Sequence, residues 1–273
     1  MKKRNLVLSV MATCLVSCFL LSGCNGQKQI DSETVKTVKV EEQAHLQDDT
    51  VSPTCQITID YSYLAKSDAA DSIVQRINRT IQAHILGKEY TRMNPEVAVD
   101  SFKNTYINNY RKDVNEFYQE DIKNGTPKDE LPTWYNYEYG LTTYFSEGKE
   151  GILNFIAETF EYTGGAHPNS WNKWMNFEKN TGKLLALKDV FMAGSEKPIS
   201  DMLLEELITE MATRLEDSSI TSLEGLQNAG ILNSTNMYVP DNFLLEKEEV
   251  SFLYNKYDIA PYAVGIITLS LPY

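Results

Sequence analysis

Histidine occurs three times in the 273 residues, well apart, and of the four cysteines only Cys55 lies beyond residue 24. A thiol-rich metal site takes closely spaced Cys and His ligands, so the expectation is no metal and no cofactor. Cationic charge is also scarce, with 25 Lys plus Arg facing 38 Asp plus Glu for a formal net charge of −13. A nucleic-acid binder draws its affinity from cations set against phosphates, and this balance excludes that class. It also argues against electrostatic docking on an anionic leaflet. Long apolar runs are missing except for Leu6 to Leu21. At about 16 residues, that run is short of the ~20 that a bilayer core requires. What is present suffices for a core, since 42% of the chain is hydrophobic and 23% charged.

The apolar run has a context. Lys2, Lys3 and Arg4 precede it with no acid before residue 24, and Leu21-Ser22-Gly23-Cys24 follows it. Positive segment, apolar segment and small residues in that order read as a cleavable secretory signal over residues 1–23. The cysteine directly after Ser-Gly resembles the bacterial lipobox, which implies acylation of Cys24, palmitate-type chains and a membrane anchor. Each buried methylene contributes about 0.8 kcal/mol, so two or three chains hold stably. The expected location is the cell envelope, with the folded part outside the cytoplasm. Asn25 is not the aspartate that resembles an inner-membrane retention signal, so in an organism with two membranes the outer one is expected. Without Lys2, Lys3 and Arg4 the mature chain carries 22 basic and 38 acidic side chains, a net −16. Cys14 and Cys18 leave with the signal, Cys24 is acylated, and Cys55 remains as a buried inert thiol at the start of a strand.

Residues 24–50 are polar, acidic and free of aromatics, which predicts a flexible tether with a solvated His45. Ile57, Ile59, Tyr61 and Tyr63 alternate with polar residues, the period of a half-buried strand. Asp68 to Leu86 shifts to helical spacing and stops at Gly87. Asn94-Pro95-Glu96 predicts a helix start, with a cap residue, a proline in the first turn and an acid at the positive dipole end. That helix runs to Lys123, with Phe102, Tyr106, Tyr110, Val114 and Phe117 on one face. Trp134–Phe145 and Ile152–Tyr162 are strands around a Gly-bearing hairpin, and Trp171–Phe177 and Lys183–Leu187 flank a second. A helix over 199–215 and strands at 243–245, 250–254 and 264–271 complete the chain. The class is α+β, two small modules with helices packed on mostly antiparallel sheets, residues 51–148 and 149–273. A monomer is expected, soluble from Val51 onward.

Two strings carry a family resemblance. The first is Glu161-Tyr162-Thr163-Gly164-Gly165-Ala166-His167-Pro168, followed by Trp174-Met175-Asn176-Phe177, Thr181-Gly182-Lys183 and Leu187-Lys188-Asp189-Val190-Phe191. The second is Val250-Ser251-Phe252-Leu253-Tyr254 with Tyr257-Asp258-Ile259-Ala260-Pro261-Tyr262-Ala263-Val264-Gly265. Together they resemble the RsiV/PdaC-like extracytoplasmic domain family, the module of a lysozyme-sensing anti-sigma factor and of the N-terminal side of a peptidoglycan deacetylase. The resemblance covers roughly Cys55 to the C-terminus. It implies binding of a lysozyme-type protein or a peptidoglycan fragment. A deacetylase would further need an Asp with two spaced histidines, and three isolated histidines do not supply them.

The residues expected to bind ligand are Tyr162, Gly164, Gly165, His167, Pro168 and Trp171. Adjacent glycines fit a turn or a close backbone approach. In one reading the turn presents His167 beside Trp171 and Trp174 as an aromatic rim. In the other it is a connector whose His167 bonds a carbonyl. Odd spacing puts Trp171 and Trp174 on opposite faces of one strand, so Trp171 is expected exposed and Trp174 in the core. No G-x-S-x-G elbow appears, and the adjacent acids Glu205-Glu206 and Glu248-Glu249 read as solvated faces. No catalytic residue is therefore assigned. The expected function is a membrane-anchored binding lipoprotein, with an envelope structural protein or a wall hydrolase as alternatives.

Overall fold

The computed structural model describes residues 35–65, 71–232 and 237–273. The signal segment, Cys24 and the first part of the expected tether lie outside them. Within the described residues, no helix is long and apolar enough to cross a membrane.

The chain is α+β, with two sheets and helices on them. The first sheet has six strands in the order β1 to β6: Val35–His45, Thr54–Leu64, Tyr137–Glu147, Ile152–Tyr162, Asn169–Glu178 and Leu184–Leu185. All pairings in it are antiparallel except β2 with β3. A parallel neighbour needs a crossover, and this one contains helices α1 (Asp71–Ile85) and α2 (Pro95–Lys123). Val74, Ile77 and Ile81 of α1, with Val99, Tyr110 and Val114 of α2, bury against Ile57, Ile59, Tyr61, Leu141 and Phe155 of the sheet. Period 3.6 meets period 2 over one apolar layer. Phe117, expected on the apolar face of α2, is instead more than half exposed, its ring edge-on to Trp134.

The second core lies between α4 (Glu196–Arg214), α5 (Leu223–Asn228) and the antiparallel sheet β7 (Phe243–Leu245), β8 (Glu249–Tyr254) and β9 (Ile267–Pro272). Leu203, Leu207 and Met211 of α4 face Phe243, Phe252 and Leu269. The short helix α3 (Leu187–Val190) precedes α4.

Two expectations about organisation are corrected. The stretch assigned to the tether contains β1, which pairs with β2 along its whole length, from Val35 opposite Leu64 to His45 opposite Thr54. It is an edge strand with one row of side chains in water, so its composition reads as polar although Val35, Val38 and Val40 pack on the core. Lys103 of α2 reaches Glu42 at 2.7 Å. His45 is not freely solvated, since its Nδ1 lies 3.2 Å from the Ser52 carbonyl oxygen. The boundary expected at residues 148 and 149 falls inside the β3–β4 hairpin, where the ladder is continuous to Glu147 opposite Leu153. The change of core falls instead within β6, where Leu184 packs on the first core and Leu185 on the second.

Candidate functional site

The seam between the two sheets is built by asparagines. Strand β5 has an open edge beyond its short pairing with β6, and two side-chain amides from the second unit cover it. Asn242 Nδ2 donates to the Asn172 carbonyl at 2.9 Å, while its Oδ1 accepts the Trp174 N–H at 2.7 Å. Asn255 Oδ1 accepts the Asn172 N–H at 2.7 Å, and its Nδ2 reaches the Asn172 carbonyl at 3.1 Å. In the other direction, Asn176 Nδ2 donates to the Phe243 carbonyl at 2.8 Å and its Oδ1 accepts the Leu245 N–H at 2.8 Å. An amide side chain carries one donor group and one acceptor, as the backbone does, so it stands in for a neighbouring strand.

The seam brings the two motif strings together. The β4–β5 turn from the first sheet meets the β8–β9 loop from the second. His167 stacks on Tyr262 with centroids 3.9 Å apart, and Tyr257 Oη lies 3.3 Å from His167 Nε2. Tyr262 donates its hydroxyl to the Pro168 carbonyl at 2.8 Å, and Lys256 Nζ sits 4.4 Å from the Tyr262 ring centroid. His167 Nδ1 also lies 3.2 Å from the Pro168 carbonyl, so the carbonyl contact and the aromatic rim both exist. Tyr257 holds φ at 72°. A bulky side chain rarely adopts that conformation, which persists only where surrounding contacts fix it.

Beside this rim, Trp171 lines a cleft of about 330 Å³ with His84, Tyr139, Lys173, Asp241 and Asp258. Trp171 stands opposite Thr159 on β4, and Thr159 lines the cleft as well. Asp258 fixes the loop, since its Oδ2 accepts the Asn255 N–H at 2.7 Å. Burial holds the Tyr254 and Tyr238 hydroxyls above the usual phenol range, and the Asp258 charge adds to both shifts. The cleft thus offers an indole plane, two carboxylates, an ammonium and an imidazole. Aromatic planes with polar groups around them suit a polar ligand that has flat apolar faces.

The six residues expected to form the site separate into three places. His167 and Pro168 make the rim, and Trp171 lines the cleft. Tyr162 ends β4 opposite Glu138, while Gly164, at φ +82°, packs on the Trp134 backbone. Gly165 is exposed, with only the His167 carbonyl oxygen within contact of a Cβ placed there. Trp171 and Trp174 are both half-buried, so the expectation of one in the core is corrected. Strand β5 runs along the seam, and neither of its faces is sealed there. Asn242, Asn255, Asp241 and Asp258 were not singled out from the sequence. The signal available for them was the second motif string itself, which contains Asp258 and follows Asn255. Cys55 is fully buried, and burial pushes its thiol up to about 12. Among the described residues, no three His, Cys, Asp or Glu side chains gather as a metal set.

Comparison with known proteins places both halves. The family model described as deacetylase PdaC matches residues 50–170. The model described as a protein of unknown function, DUF3298, matches residues 188–273. The gap between the matches contains the change of core. A crystal structure of a DUF3298 family member from Bacteroides fragilis is similar to 90% of this chain and 92% of its own, at 29% identity and TM-score 0.80. A DUF3298 family protein from Pseudomonas aeruginosa matches over 91% and 93% at 16% identity and TM-score 0.59, which establishes the shared fold. No curated protein shows significant similarity. Residues 50–170 are thus similar to the PdaC model and residues 188–273 to the DUF3298 model, in that order along the chain.

Proposed function

We propose that this protein is a membrane-anchored lipoprotein of the cell envelope, acylated at Cys24, whose seam cleft binds a cell-wall glycan. The observation that carries the reading is the convergence of the two motif strings at the seam, beside a cleft of about 330 Å³ lined by Trp171. A pyranose ring presents an apolar face to an aromatic plane and hydroxyls at its edge. Trp171 supplies the plane, and Asp241, Asp258 and Lys173 supply polar partners. The His167–Tyr257–Tyr262 rim, with His167 and Tyr257 exposed, extends the contact area at little rotamer cost. The family name includes a deacetylase, but the cleft holds a single histidine, His84. Binding is therefore favoured over turnover.

A second reading is a cationic, lysozyme-type protein as the partner. It rests on charge, since the chain carries a formal −13. Attraction of that kind is screened beyond about 8 Å at physiological ionic strength, so rim contacts would have to supply the specificity.

One titration separates these readings. A chain beginning at Asn25, which retains β1, is titrated with muropeptides and with lysozyme at two salt concentrations. Saturable muropeptide binding, weakened at least tenfold by Trp171→Ala and little changed by salt, is the expected result. Salt-sensitive binding of lysozyme alone, weakened by His167→Ala, would favour the protein partner. Release of a cleaved or deacetylated product would replace both with a hydrolase, for which Asp241 and Asp258 are the carboxylates to test.

A further inference from the structure

A second cavity, of about 350 Å³, opens between the first strands of the large sheet and the starts of α1 and α2. It shares no lining residue with the seam cleft. Three cationic side chains line it, Lys36 from β1, Arg79 from α1 and Arg92 from the loop before α2. The chain has a surplus of acids, and seven of its described cations use them. Lys39, Lys103, Lys128, Lys179, Lys183, Lys197 and Arg214 are each ion-paired. Among the described residues, no acid pairs with Lys36, Arg79 or Arg92, and the only hydrogen bond of Arg79 is to Gln75 at 3.3 Å. Three cations against a single lining carboxylate, Glu96, make this cavity locally positive on a −13 chain.

The cavity wall is preorganised. Buried Asn78 clips the end of β2, accepting the Leu64 N–H at 3.0 Å and donating to the Leu64 carbonyl at 2.8 Å. Gln82, almost fully buried, donates through Nε2 to the carbonyls of Tyr90 and Met93 at 3.0 and 3.1 Å. Those bonds hold the loop that presents Arg92. The 29-residue helix α2 begins at the cavity through Asn94, Pro95 and Glu96, and Asn94 makes no side-chain cap. Uncapped N–H groups and the positive dipole end therefore add to the three cations. The one carboxylate in the lining, Glu96, already accepts the Tyr63 hydroxyl.

We infer that this cavity is an oxyanion-binding site, for a phosphate or carboxylate group carried by a small molecule or a lipid headgroup. Arginine forks match both groups in a bidentate way, and Lys36 adds a point charge. This site is independent of the glycan reading and stands or falls separately.

The full chain is titrated with inorganic phosphate and with citrate by calorimetry, and with vesicles of phosphatidylglycerol against phosphatidylcholine. Arg79→Gln and Arg92→Gln are the variants, and both positions are solvent-exposed. Lys112→Gln, exposed further along α2 and outside the lining, controls for net charge. Expected is saturable binding of at least one anion, weakened tenfold or more by each arginine change and less than twofold by Lys112→Gln. A free small anion as the source gives this pattern with phosphate or citrate. A headgroup source gives it only as the excess binding to phosphatidylglycerol vesicles. Absence of saturable binding in every arm overturns the site, and so does equal weakening by Lys112→Gln.

Discussion

A single carbon added at residue 164 would lie 2.4 Å from the Trp134 carbonyl oxygen, inside any permitted contact. The same residue holds φ at +82°, which side chains with a Cβ rarely adopt. Its neighbour Gly165 has neither constraint, with only the His167 carbonyl oxygen near, at 3.9 Å. The adjacent glycines thus differ in role. Gly164 seats the turn on Trp134, and Gly165 only passes through it. Gly164→Ala is expected to lower stability by about 2 kcal/mol or more, through strain and the forced shift of the Trp134 backbone. Gly165→Ala is expected to stay within about 0.5 kcal/mol of the parent, as exposed changes do. Urea midpoints of the two variants check this, and equal losses would refute the distinction. From sequence, the pair could be marked as a turn, but which glycine was obligatory depended on Trp134, about thirty residues away.

Elements with a strong local signal were legible. Helix α2 begins at Pro95 and ends at Lys123 as its cap residue, proline and downstream Gly125 predict, and β4 spans Ile152–Tyr162 as read. Strand β1 was not legible, because an edge strand shows water one polar row and its pairing with β2 leaves no local mark. The seam was illegible for the same reason. An asparagine that completes a distant strand looks like any polar residue. Asn176 is the sharpest case, being almost fully buried and serving both Phe243 and Leu245. Asn176→Ala leaves a carbonyl and an N–H of β7 unpaired, each costing about 1–3 kcal/mol when buried. The expected loss is about 2–4 kcal/mol, with faster amide hydrogen exchange at Leu245 as its local signature. Unchanged Leu245 protection would mean that the amide clip does not hold β7 to the first sheet.

Across the whole molecule, the seam decides whether two cores behave as one cooperative unit. Several contacts cross it besides the asparagines. Lys149 N–H donates to the Leu245 carbonyl at 2.9 Å. Ile152, at the start of β4, packs on the second core. Gly148 lets the hairpin approach β7, since a Cβ there would meet the Leu245 carbonyl oxygen at 2.5 Å. These contacts are specific, and opening either unit leaves unpaired backbone on the other. The three tryptophans all lie in the first unit, and Trp134 sits against Phe117 of α2. A chain with Trp171→Phe and Trp174→Phe therefore reports the first unit through Trp134 fluorescence. Leu207 is fully buried between α4 and the second sheet, and Leu207→Ala there should cost about 2–5 kcal/mol. If the seam couples the units, the Trp134 midpoint in urea falls with that cavity, although residue 134 touches none of the second core. If it does not, the Trp134 transition stays where it was and only the far-ultraviolet dichroism shows an earlier step. The amide clips, the hairpin contact and the shared packing of Ile152 all predict the first outcome, one transition displaced as a whole.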